Sequence, residues 1–183
     1  VVLSPNAIKR LSTFHPERPM PKIFRLVKNG KLIEGVYEGE TLNTPSMFCV
    51  ADALDSLMWI KEIGGLTETI RRSNENFKCL QGWVDKTPWI ENLVSDPRNR
   101  SNTSVCLKFS DERFISLIPD EKTRFVKEFV GLLEVENAAF DIKGHRNAPP
   151  GLRIWCGATI NLDDIQKLLP WLEYCFHEII SSY

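Results

Sequence analysis

The densest set of residues able to do chemistry lies between positions 144 and 153, reading Gly-His-Arg-Asn-Ala-Pro-Pro-Gly-Leu-Arg. His145, Arg146 and Arg153 fall within it, around a loop stiffened by Pro149 and Pro150 and bracketed by Gly144 and Gly151. A guanidinium presents a planar fork that matches a phosphate or carboxylate through two parallel hydrogen bonds, and a nearby histidine adds another donor. Leu152, Ile154 and Cys156 alternate with Arg153 and Trp155, so on a strand Arg153 points away from the apolar face, beside Trp155. A charge in that position needs an anionic partner or solvent. Two surface arginines and a loop histidine would give the same pattern, and the residues alone leave both readings open.

A second polar cluster runs from Gly39 to Ser46, as Gly-Glu-Thr-Leu-Asn-Thr-Pro-Ser. Short polar side chains before a helix serve as caps, or they offer donors to a phosphate at the helix start. Asn43 and Thr44 are the candidates. The chain has no nucleophile elbow, phosphate-binding P-loop, zinc-protease helix motif or dinucleotide fingerprint. Five cysteines, an odd number without a C-x-x-C pair, support neither a disulfide framework nor a zinc site and suit a reducing cytoplasm. No metal site is expected. Lysine plus arginine number 23 against 24 acidic residues, so no basic excess points to nucleic acid or a membrane surface. No apolar run approaches the roughly 18 residues of a membrane span.

The elements that must hold these residues follow from periodicity. Ser4-Pro5 opens a short helix over Asn6 to Ser12. Asn29-Gly30, between Ile23–Val27 and Leu32–Tyr37, predicts a hairpin, since both turn positions need positive φ. Phe48, Val50, Leu54, Leu57, Met58 and Ile60 surround a helix over Ser46 to Ile63, which reads as largely buried. Gly64-Gly65 stops it, and Leu66, Ile70, Phe77, Leu80 and Val84 stripe an amphipathic successor. Val105, Leu107 and Phe109 mark a half-buried strand. Pro119 opens a helix with the stripe Phe125, Phe129, Leu132, Leu133, and two short strands follow over Ala138–Ile142 and Leu152–Ala158. Asn161 with Asp164 opens a final helix, in which Pro170 predicts a kink or restart. The fold class is therefore α/β, a small sandwich of mixed or antiparallel sheet with helices on one face. The division is expected at the glycine pair, with domains 1–64 and 65–183.

Several ungapped stretches together resemble phosphoserine aminotransferases, along essentially the whole chain. They are Leu3-Ser4-Pro5, Pro21 to Arg25, Lys31 to Gly35, Leu42 to Ser46, Arg100 to Ser104, Gly144-His145-Arg146 and Pro150 to Trp155. The resemblance implies the C-terminal half of a fold-type-I pyridoxal-phosphate enzyme. Residues 1–64 would be the remnant of its large cofactor-binding domain, and 65–183 its small domain. It implies a homodimeric, cytoplasmic enzyme of serine, and in some members pyridoxine, synthesis. The reaction moves an amino group between glutamate and 3-phosphohydroxypyruvate, giving phosphoserine and 2-oxoglutarate. By the same resemblance Asn43 and Thr44 reach the phosphate of pyridoxal phosphate, His145 and Arg146 bind the substrate phosphate, and Arg153 clamps the substrate carboxylate. The loop from Arg146 to Arg153 is a residue longer than in some relatives.

No lysine here stands in the family's Schiff-base context, so no catalytic residue is assigned and the chain alone is expected to be inactive. It is not expected to bind the cofactor. The start at Val1, without methionine and in mid-apolar run, reads as a truncated terminus. In the family the first segment packs on strands not found in this sequence, so its apolar helix is expected to be exposed or to pair with another copy. A non-catalytic, stand-alone α/β binding or dimerisation module is the competing reading.

Overall fold

A computed structural model describes residues 2–145 and 147–183, and the chain divides into two compact units, Val1–Leu57 and Met58–Tyr183. The division falls within a helix, ahead of Gly64-Gly65.

In the first unit, α1 (Pro5–Thr13) starts as its sequence dictates. Ser4 Oγ accepts from Ala7 N at 3.2 Å, and Pro5 occupies the first turn, where its missing N–H costs nothing. The Asn-Gly turn forms with φ of 51° at Asn29 and 75° at Gly30. It joins β1 (Val27–Lys28) to β2 (Lys31–Leu32), with Val27 opposite Leu32. The flanks expected as longer strands are instead short 3-10 turns at Lys22–Phe24 and Glu34–Tyr37. Helix α2 (Met47–Glu62) forms where expected, and Ser46 Oγ accepts from Cys49 N at 3.4 Å to cap it. Its expected burial is not found. Phe48 is 81% exposed and Leu57 62%, and none of residues 2–57 is buried. The helix forms from its own backbone hydrogen bonds, whereas burial needs a partner surface that 2–57 do not supply.

The second unit holds the core. Helix α3 (Gly65–Val84) starts at the second of the two glycines, which take φ of 114° and 75°. Then come β3 (Ile90–Asn92), β4 (Ser104–Phe109), α4 (Glu112–Ser116), α5 (Pro119–Val135), β5 (Gly151–Trp155) and α6 (Leu162–Ile180). The three strands form an antiparallel sheet in the order β3-β4-β5, with Leu107 opposite Leu152 and Val105 opposite Ile154. Those inward residues are buried, and Cys106, Arg153 and Trp155 stand on the other face. Helices α3 and α5 both pack on α6, and Leu80, Phe125, Phe129, Leu133, Leu172 and Phe176 are almost wholly buried.

Two polar devices tie this core together. Asn76 on α3 donates to the carbonyls of Cys156, Gly157 and Ile160 at 2.9–3.4 Å, which leaves no lone amide in an apolar interior. Glu173 on α6 accepts from Trp83 Nε1 at 2.8 Å, Trp89 Nε1 at 3.0 Å and Thr87 Oγ1 at 3.3 Å. Trp89 then stacks flat on Phe176, 4.1 Å between ring centroids.

Two local expectations are corrected. Ala138–Ile142 is not a strand, because Asn137 and Asp141 both take φ of 54° and break the extended run. Pro170 does not restart α6. The helix is continuous, and the carbonyl of Gln166 that Pro170 cannot serve lies on an exposed side where water can. The capping box of Asn161 and Asp164 forms as expected.

Candidate anion-binding site

The stem of the 144–151 loop is built by backbone. Gly144 N donates to Gly151 O at 3.0 Å, Arg153 N to Ile142 O at 2.7 Å, and Lys143 bridges Leu152 antiparallel. A Cβ at Gly144 would come within 3.2 Å of Gly151 O, and one at Gly151 within 2.2 Å of Leu107 O. Gly151 is required by this close approach rather than by a turn angle, whereas a methyl at Gly144 would be tight but would need its neighbour to give only slightly.

Inside the loop Ala148 N donates to His145 O at 2.8 Å, and Asn147 N to His145 Nδ1 at 3.2 Å. With Nδ1 accepting, a neutral His145 carries its proton on Nε2, which becomes the available donor. A small cavity of about 210 Å³ lies here, lined by Thr123, Lys143, His145, Pro149 and others. Lys143 is a cation that the sequence reading passed over. Its only signal there was its place two residues before His145, and the hairpin stem gives that spacing meaning.

Arg153 sits at the middle of β5 on the open face, opposite Cys106 in register. Its side chain is partly exposed, and Nη2 donates to Asp141 Oδ2 at 3.4 Å. Trp155 lies two residues on along that face, half exposed, its Nε1 donating to Thr159 Oγ1 at 3.1 Å. Arg153 does not line the small cavity, so His145 and Arg153 stand apart, at the two ends of one loop. Arg146 lies outside the described residues. Asn43 and Thr44 lie in the first unit, exposed, just ahead of the Ser46 cap of α2.

Other chemistry finds little support. Burial pushes the Cys156 thiol up to about 12 and the Cys175 thiol to about 11, far from a nucleophile's range. Among the described residues no lysine is buried, and no group of histidine, cysteine and carboxylate side chains is arranged to hold a metal ion. No helix of those residues is long and apolar enough to cross a membrane.

The architecture recurs in solved structures. Phosphoserine aminotransferase from Bacillus circulans subsp. alkalophilus matches with a TM-score of 0.64 at 22% identity, over 78% of this chain and 36% of that one. The pyridoxal-phosphate-bound phosphoserine aminotransferase from Trichomonas vaginalis matches with 0.60 at 23% identity, over 75% of this chain and 36% of that one. The fold is thus that of the C-terminal portion of a fold-type-I pyridoxal-phosphate transferase. Sequence relatives agree on the particular enzyme. Curated phosphoserine aminotransferases from Methanosarcina mazei and Methanosarcina barkeri are each 44% identical, over 96% and 97% of this chain and 45% of their own length. The resemblance read from the sequence therefore holds: the chain is similar to the C-terminal part of phosphoserine aminotransferases and spans about half the length of these relatives. No protein-family model matches it.

Proposed function

We propose that this chain is the substrate-anion-binding part of a phosphoserine aminotransferase, carried by the 44% identity to two such enzymes along nearly its whole length. In this reading Arg153 takes the substrate carboxylate, while His145 and Arg146 take the substrate phosphate. Arg153 suits that role because its fork opens on the uncovered sheet face, and its only polar side-chain partner among the described residues is an exposed carboxylate. Lys143 beside His145 adds positive charge at the phosphate position. The substrates are phosphoserine, glutamate, 2-oxoglutarate and 3-phosphohydroxypyruvate, in serine synthesis and, in a second role, pyridoxine synthesis, within a cytoplasmic homodimer.

Pyridoxal phosphate is the cofactor of the whole enzyme, and bound there it supplies the carbonyl that carries the amino group. Asn43 and Thr44 fit its phosphate as short exposed donors ahead of a helix, whose N-terminus favours an anion. The Schiff-base lysine is assigned to the rest of the enzyme. A lysine activated for that task sits desolvated, and every lysine here is at least partly exposed. Residues 1–64 then belong to the large domain and 65–183 to the small one.

The test joins this chain in frame to the portion of the Methanosarcina mazei enzyme that it does not match. Transamination of phosphoserine is expected from the joined protein and not from the chain alone. Arg153→Ala is expected to lower kcat/KM about 100-fold or more, as loss of a substrate clamp does. A folded but inactive fusion, or turnover by the chain alone, would overturn the assignment.

A further inference from the structure

Asp141 is the one acidic side chain bonded to Arg153 among the described residues, and the backbone goes out of its way to put it there. The pair is twelve residues apart in sequence, with Nη2 and Oδ2 at 3.4 Å. Asp141 takes φ of 54°, a left-handed conformation that apart from glycine is adopted mainly by asparagine and aspartate. That turn ends the extended run before Ile142, whose carbonyl accepts from Arg153 N at 2.7 Å. The main chain thus clamps 142–143 beside 152–153, and the left-handed residue swings its carboxylate back over the guanidinium. The Asp141 side chain is 90% exposed and that of Arg153 37%, so the bond is open to exchange with a carboxylate arriving from solvent.

We propose that Asp141 is a positioning residue that holds the Arg153 fork with an internal carboxylate until the carboxylate of a small organic acid displaces it. The inference rests on the reading that Arg153 is the carboxylate clamp. Displacement exchanges one carboxylate for another, so Asp141 both keeps Arg153 extended over the sheet face and competes with the ligand. An exposed pair of this kind is weak. Its removal should therefore tighten carboxylate binding about 2- to 5-fold, which is about 0.4–1 kcal/mol at 1.4 kcal/mol per tenfold.

The experiment titrates 2-oxoglutarate into the full chain and follows the Arg153 side-chain Nε–H and the Asp141 carboxyl carbon by NMR. Asp141→Asn is the decisive variant, because asparagine is isosteric and tolerates the left-handed turn, so the fold should persist. Asp163→Asn, whose carboxylate pairs with Lys167 on α6, controls for net charge. Expected are a 2- to 5-fold tighter Kd for Asp141→Asn, no change for Asp163→Asn, and movement of the wild-type Asp141 resonance on saturation. Arg153→Gln should abolish binding in either background. Equal affinity of wild type and Asp141→Asn, with binding still lost in Arg153→Gln, overturns the proposal and leaves the clamp reading standing. Binding that survives Arg153→Gln overturns both.

Discussion

The two units of this chain form regular structure by similar local rules, yet only one of them has an interior. Helix α2 in large part and the α1–hairpin segment lie in a unit where no described residue is buried. Met58–Tyr183 holds every buried side chain, from Ser73 and Leu80 to Ile180. Capping and turn chemistry therefore specify α1, the Asn-Gly hairpin and the start of α2 without any core beneath them. What separates the units is whether apolar faces find partners: α3 and α5 pack on α6 and Phe109 of β4 stacks toward Phe176, whereas Phe48, Leu54 and Leu57 are exposed.

The sharpest way to break this contrast is matched truncation. Phe129→Ala removes a fully buried ring and should cost about 3–5 kcal/mol in urea unfolding. Leu54→Ala, on a residue 54% exposed, should stay within about 0.5 kcal/mol. A large loss for Leu54→Ala that grows with protein concentration would show that a second copy covers α2. Thiol labelling at pH 8 sharpens the contrast further. Exposed Cys49 should react at once, while Cys156 and Cys175, their thiols pushed up by burial, should react only on unfolding. Rapid labelling of Cys156 would mean that the second unit opens readily near the end of β5.

The smallest effect lies on the surface of α3. Hydrogen bonds from Arg71, and then Arg72, hold the Glu68 carboxyl at about 2, below its ordinary 4.5. A depressed acid stabilises the fold above its unfolded value and loses that contribution as pH falls through the folded one. Wild type should therefore lose a slight advantage in Tm over Glu68→Gln between about pH 4.5 and 2. The ion pairs lie at the helix surface, so raised salt should shrink the difference. Identical pH profiles for the two proteins would remove Glu68 from the account.

Much of the second unit was legible because its signals are local. The stripes of α3, α5 and α6, the Asn161–Asp164 box and the alternation along β4 all involve neighbours within a few residues. What escaped depends on partners far along the chain. Strand β3 is three residues long and exists through pairing with β4, and Glu173 gains its meaning only when Trp83 and Trp89 arrive. The site divides in the same way. Arg153 was readable as a charge opposite an apolar face, whereas Lys143 and Asp141 matter through the hairpin stem that folds 141–143 onto 152–153. The expected burial of α2 failed for a related reason: an apolar surface is written in sequence, but its cover is not.

The two glycines at the foot of the 144–151 loop also bear on how this region can change over generations. Gly151 has no room for even a methyl group against Leu107 O, and Gly144 has little to spare against Gly151 O. The Gly151 post is therefore barred to substitution and the Gly144 post is tight, while the bonds within the loop at Asn147 and Ala148 run back to His145 and not to the sheet. Changes between the two glycines need not shift the register of β4 against β5, which their backbone contacts set. The loop residues are thus free to drift, while the strand carrying Arg153 stays in register.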